Sequence, residues 1–188
     1  VVLSCGAPVE TPWIDGVCAV LLMHLAGCQG GHACIDLLFG AQSPCGKLAE
    51  TWPVTLSDTP LSDAFPVASQ QIPYLESIFT GYRYYDSAQV EVRFPFGYGL
   101  TYTRFAYRNL HVETTDEGYA LHFDLENAGA RRAKEIVQAS VHAIDPAVFR
   151  PEQELAAFTK VLLDPGETQH ITLTLDGSSF RYWDDEAH

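Results

Sequence analysis

Two hydrophobic rhythms divide this chain. From Phe105 onward apolar and polar positions alternate. Leu121, Phe123 and Leu125 interleave with His122, Asp124 and Glu126; Val137, Ala139, Val141 and Ala143 repeat the pattern; Ile171, Leu173 and Leu175 interleave with Thr172 and Thr174. A period of two marks strands with one face on a core and one in water. Asn127–Gly129 and Asp164–Gly166 read as the turns between them. About six strands are predicted up to Trp183, against roughly seven in an immunoglobulin-like sandwich.

Upstream the rhythm changes. Val1–Ser4 is a short, continuous apolar run, predicted as a buried strand and broken by Gly6, Pro8 and Pro12. Val17–His24 is predicted as a second buried strand. Gly27, Gly30 and Gly31 lead into a helix predicted from about His32 to Phe39, with Cys34, Leu37 and Leu38 on one face and Gly40 as its stop. Strand, strand, glycine loop and helix are the parts of an α/β sheet, here about the last third of one. Residues 41–103 join the two halves. Pro44 and Gly46 bracket a predicted tight turn, and Ser57–Ser69 reads as a surface loop. Tyr74–Thr103 is dense in Tyr and Phe, and its GYRYY core at 81–85 is predicted to be extended, because aromatics favour strands. Gly97 and Gly99 permit backbone angles that other residues resist. The fold class read from pattern is α/β followed by all-β.

Composition narrows the partners. A hydrophobic fraction of 47% suits a globular chain. A net charge of −13 argues against nucleic acid or an anionic membrane, whose phosphates would be repelled, and is compatible with neutral sugars. The longest apolar run, Val17–Ala26, is short for a membrane span and contains His24. No internal repeat or signal peptide pattern is visible. Cysteines stand at 5, 18, 28, 34 and 45, an odd number without CxxC spacing, which predicts reduced, mostly buried thiols and a cytoplasmic setting. His24 and His32 lie nearby, yet the tetrahedral metal pattern is missing, so no metal site is expected there.

Few motifs carry chemistry. The glycines at 27, 30 and 31 match neither GxGxxG nor a P-loop, so close helix–strand packing is the favoured reading over phosphate binding. Ser4, Cys5 and Cys45 lack a nucleophile elbow or a family cysteine signature. Glu10, Asp15, Asp36, Glu50, Glu76 and Asp86 are the carboxylates that could serve glycoside hydrolysis, which generally uses two flanking the scissile bond. Trp52, Tyr82, Tyr84 and Tyr85 could stack on sugar rings, but a packing cluster is the favoured reading, and Trp13 is expected in a core.

Motifs in order along the chain resemble one family. VVLSCGAPVETPW (1–13), GCQGGHACIDLLFG (27–40), SPCGKLAETWP (43–53), GYRYYD…FPFGYGLTYT (81–103), NAGARRAKEIVQASV (127–141) and RPEQELAAFTKVLLDPGET (150–168) are together similar to the C-terminal part of glycoside hydrolase family 3, the β-glucosidase family. Ala49 and Ala157 stand where that family usually has Pro and Gly. The resemblance implies the end of an α/β sandwich domain over 1–60, an aromatic-rich connection over 61–103, and a fibronectin type III-like domain over 104–188, both ends of the chain being cut. It implies a retaining enzyme that removes terminal β-linked sugars without metal or organic cofactor. Its nucleophile would be an Asp in an N-terminal (β/α)8 barrel, the partner missing here, and its acid/base a Glu upstream of Val1. No catalytic, cofactor-binding or metal-binding residue is therefore assigned in this chain. Glu10 and Asp86 are expected to satisfy backbone donors or to pair with Arg83 or Arg93. An isolated piece of this kind is expected to associate or oligomerise through open strand edges. The alternative is a stand-alone β-sandwich that binds carbohydrate or protein, which would show coplanar aromatics on one open face. A small nucleotide-binding α/β protein is disfavoured by the lack of a phosphate motif.

Overall fold

The structure, a computed structural model, describes residues 1–62, 64 and 74–184. The chain divides into two compact units, Val1–Gln42 with Lys47–Gly99, and Ser43–Gly46 with Leu100–His188. Part of the loop expected over Ser57–Ser69, and part of the connection expected over 61–103, lie outside the described residues. Among the described residues no helix is long and apolar enough to cross a membrane.

In the first unit, β1 (Val2–Leu3) pairs in parallel with β2 (Leu21–Leu22), Val2 opposite Leu21 and Leu3 opposite Leu22. The two strands expected from apolar runs are thus present but short. The second is two residues rather than Val17–His24, because a 3-10 turn at Ile14–Gly16 precedes it and His24 follows with a positive φ of 47°. Neither strand is buried: Val1 and Val2 are 54% and 46% exposed. Apolarity makes a side chain seek cover, but cover needs a second layer.

Helix α1 (Gly30–Leu38) starts two residues before the expected His32. It ends as predicted, with Gly40 at φ 75° donating its N–H to the Leu37 carbonyl at 3.2 Å. Its apolar face is narrower than expected: Cys34 and Leu37 are half-buried, whereas Leu38 is exposed. The expected packing role of the glycines also divides. A Cβ on Gly30 would come within 2.8 Å of the Ala26 Cβ, one on Gly31 would meet open space, and Gly27 has φ 68°. The close approach is therefore to the preceding loop rather than to a strand.

The aromatic stretch holds the largest correction. GYRYY is not extended: α2 (Tyr82–Ser87) is a helix, entered through Gly81 at φ 57°, whose carbonyl accepts from the Tyr84 and Tyr85 amides. Tyr82 and Tyr85 are three apart, so a helix places both on one side, where Tyr85 is buried and Tyr82 stacks on Phe96 at 4.7 Å. Tertiary packing overrides the strand preference of the aromatics. Beside it, β3 (Trp52–Pro53) pairs antiparallel with β4 (Val92–Phe94). Trp52 meets Phe94 edge-on at 6.3 Å, and Phe94 stacks on Tyr98 at 5.0 Å. Leu48 exchanges backbone hydrogen bonds with Gly97 and Tyr98.

The second unit is the sandwich. Residues 43–46 do not form the tight turn expected of Pro44 and Gly46. They run without turn or regular structure beside the segment that enters the sandwich, where Ser43 Oγ accepts from the Tyr102 amide at 3.0 Å and lies 2.8 Å from Thr101 Oγ1. One sheet has the order β5 (Phe105–Thr115), β6 (Gly118–Asn127), β9 (Thr168–Asp176); the other pairs β7 (Ala133–Val141) with β8 (Glu154–Leu163). All pairs are antiparallel. The core is Phe123, Leu125, Val137, Val161, Leu163, Ile171 and Leu173, drawn from the predicted alternation. Fully burying each large side chain is worth roughly 1.5–3 kcal/mol, so this cluster dominates the unit. Both predicted turns fall between strands. The strand count among the described residues is five rather than about six. β7 ends at Val141 before reaching Ala143, and after β9 the chain enters a 3-10 turn at Gly177–Phe180, capped by Asp176 accepting from the Ser178 amide at 2.7 Å.

Candidate functional site

Of the candidate carboxylates, Glu10 is bound to main chain, whereas Asp15 and Asp36 are exposed. Glu10 Oε1 accepts from the Leu56 amide at 2.7 Å, so the carboxylate of the PVETPW motif fastens that loop to the start of a 3-10 turn. This is the backbone role expected of it. Asp58 closes a capping box on the same turn: its Oδ2 accepts from the Thr55 amide at 2.8 Å and from the Thr55 hydroxyl at 2.9 Å. Asp15 lies exposed in the turn at Ile14–Gly16, and Asp36 lies exposed on α1. Ser4 Oγ donates to the His24 carbonyl at 3.0 Å, which ties the ends of β1 and β2 together and commits the one serine near the start of the chain. All five cysteines are free, but the expected burial is not found: Cys18 and Cys28 are exposed and Cys5, Cys34 and Cys45 are half-buried, because the short strands, α1 and the loops that carry them have no covering layer among the described residues.

Asp58 and Glu76 converge electrostatically on Tyr85. Burial pushes the Tyr85 phenol above its ordinary range, and Tyr84, Asp58 and Glu76 push it the same way. Raised in this way, the phenol resists ionisation. Trp52 and Tyr85 are 2% and 6% exposed, and Tyr82 is covered by Phe96 on one side with the Arg83 guanidinium 5.3 Å from its ring centre. Burial and ring stacking favour packing for these rings, and Tyr84 meets Tyr85 edge-on at 5.3 Å; the contacts lie within the first unit rather than between domains. Trp13 departs from expectation: it is 37% exposed rather than part of a core, since the loop that carries it lies at the surface.

Two side-chain groups in the sandwich went unnoticed in the sequence. One is Asn127, fully buried and satisfied at every polar atom. Oδ1 accepts from Thr103 Oγ1 at 2.6 Å and from the Gly129 amide at 3.2 Å, while Nδ2 donates to the carbonyls of Arg131 at 2.8 Å and Leu163 at 3.1 Å. The other is a polar network on the outer face of the β5–β6–β9 sheet. There Asp124 accepts from Asn109 at 2.7 Å and lies 2.9 Å from His170 Nδ1. Asn109 and His170 hold the Asp124 carboxyl below the usual range. The signal for both was present as polar members of the alternating pattern, but only the strand register brings residues 111, 122 and 170 together.

An α/β piece with an aromatic segment and an antiparallel β-sandwich make up this chain. Comparison with known proteins agrees. The glycosyl hydrolase family 3 C-terminal domain matches residues 1–102, and the fibronectin type III-like domain matches residues 135–188. The thermostable β-glucosidase B of Acetivibrio thermocellus is 46% identical over 97% of this chain, which spans 25% of that protein. An exo-α-(1→6)-L-arabinopyranosidase of Bifidobacterium breve is 38% identical over 99% of the chain, again 25% of its own length. The crystal structure of a family 3 β-glucosidase from Bifidobacterium adolescentis superposes with a TM-score of 0.94 at 38% identity, over 98% of this chain and 28% of that one. The chain belongs to glycosyl hydrolase family 3, and it spans about a quarter of the length of the curated relatives it matches.

Proposed function

We propose that the whole enzyme removes terminal sugars from β-linked glycosides with retention, most nearly as a β-glucosidase, and that these residues serve it as structure rather than as catalyst. The observation that carries this reading is the match of nearly the whole chain to enzymes about four times as long, three of whose names are β-glucosidase. The commitment of Glu10 to the Leu56 amide and of Asp58 to its capping box supports the second half: each is already used in holding the main chain. A retaining mechanism needs a nucleophilic carboxylate and a second carboxyl that gives and retrieves a proton. In our reading both lie upstream, on a barrel and a loop against which this module would be seated. The similarity to an arabinopyranosidase leaves the class of sugar at a terminal glycoside. The odd number of cysteines without CxxC spacing motivates a reducing, cytoplasmic compartment for the whole enzyme.

The test is an assay of the purified 188-residue chain with an aryl β-glucoside. Release of phenolate is expected at the buffer rate, because the interactions that lower the barrier are missing. Turnover above that rate that disappears in a Glu10→Gln or Asp58→Asn variant would overturn the structural reading.

A further inference from the structure

The outer face of the β5–β6–β9 sheet carries three histidines in a row. His111 on β5 lies directly opposite His122 on β6, and their rings stack 4.8 Å apart, 16° from parallel. His170 on β9 continues the row, 5.8 Å from His122 and 14° from parallel. The core lies on the opposite face, among Phe123 and Ile171, so core packing does not account for this row.

His122 is the unusual member. Its Nδ1 is 3.0 Å from Thr172 Oγ1. Its Nε2 is shielded from solvent and makes no hydrogen bond, although Glu113 Oε2 stands 3.2 Å away. In the tautomer whose Nδ1–H donates to the Thr172 hydroxyl, Nε2 and the Glu113 oxygen are two acceptors facing one another, and a cation between them satisfies both. With metal–nitrogen distances of about 2.0–2.1 Å and metal–oxygen distances of about 2.0–2.2 Å, the 3.2 Å separation subtends an angle of about 100° at a bound metal. That value lies between octahedral and tetrahedral geometry. Among the described residues no three ligating side chains yet surround one point. His111 is exposed and stacked on His122, directly across the strand pair, so a change of side-chain rotamer can bring its ring nitrogen to the same point.

We propose that Glu113, His122 and His111 form a surface site for a divalent transition cation, Zn2+, Ni2+ or Cu2+, with water completing the coordination. Imidazole with one carboxylate suits these ions, whereas Mg2+ and Ca2+ favour all-oxygen shells. The bound ion links β5 to β6 through side chains, beyond their backbone ladder. Asp124 takes no part, since it already serves Asn109 and His170.

Isothermal titration of ZnCl2 into the chain in chelator-free buffer tests this, alongside His122→Gln, Glu113→Gln and His111→Gln. The five free thiols are common to all four proteins, so differences between isotherms belong to the sheet. One binding event is expected to vanish in His122→Gln and to weaken at least tenfold in Glu113→Gln and His111→Gln. Cu2+ should bind more tightly than Ni2+ or Zn2+. Added Zn2+ should raise the melting temperature of the parent chain and leave that of His122→Gln unmoved. The Glu113 side chain is 64% exposed, so that variant keeps the fold and decides the matter if His122→Gln does not. Identical isotherms for the parent and Glu113→Gln, or heat abolished by blocking the thiols with N-ethylmaleimide, would overturn the site.

Discussion

Asn127 shows how much one residue can hold. Its sequence context announced a turn, but Asn127 is the last residue of β6, with the Gly166 amide donating to its carbonyl, and the chain bends only after it. What the context did not announce is that the side chain is buried and joins the Thr103 hydroxyl, the Gly129 amide and the carbonyls of Arg131 and Leu163. Removing such an amide strands several partners away from water, and each orphaned group costs about 1–3 kcal/mol. Asn127→Ala is therefore expected to lower the unfolding free energy by about 3–5 kcal/mol, read as a fall in the urea midpoint. A loss below about 1 kcal/mol would mean that water replaces the side chain. Glu10 illustrates the opposite case: its backbone role was legible from its place in the PVETPW motif, which the resemblance marks as structural, and partly buried acids generally find donors.

At the scale of elements, the strands of the sandwich were legible because period two admits one register, and a one-residue slip would turn Leu125 and Ile171 into water. The helix α2 was not legible, because Tyr propensity points to strands and only Gly81 and the neighbouring Phe96 select a helical turn. A link between the two sheets was equally hidden. Tyr107 on β5 donates its hydroxyl to Glu135 on β7 at 3.1 Å, and burial together with that carboxylate pushes the phenol well above its ordinary range. A group whose folded pKa is raised contributes stability that is complete below the unfolded value, near 10 for Tyr, and is lost as pH climbs towards the folded value. Stability is thus expected to hold steady towards pH ~10 and to fall beyond it. Tyr107→Phe should lose about 1 kcal/mol at neutral pH and show a shallower alkaline decline in chemical denaturation, with Tyr85 supplying what remains. An unchanged alkaline limb would remove Tyr107 from that role.

Over the whole molecule, buried apolar side chains are shared unequally. The second unit buries the seven-residue cluster around Leu125 and Leu163, whereas Trp52 and Tyr85 are the buried hydrophobics described in the first. The first unit also leaves Ile35, Leu38 and Phe39 exposed on and beside α1. Local stability follows buried contacts, and open apolar surface favours association. Hydrogen exchange should therefore be slow in β6, β8 and β9 and fast in β1, β2 and α1. Size-exclusion chromatography of the isolated chain should show species larger than a monomer. Uniform protection across both units, with a clean monomer peak, would contradict this. The amino-acid sequence by itself determined the order of α/β and β parts, the strand faces of the sandwich, its turns, the stop of α1 at Gly40 and the family, because these rest on local period and collinear motifs. Tertiary structure alone decided the helix at Tyr82–Ser87, the exposure of Trp13 and the first strands, the burial of Asn127 and the row of His111, His122 and His170. Each of these depends on what a residue meets across the fold, and periodicity along the chain carries no record of partners that lie far apart in it.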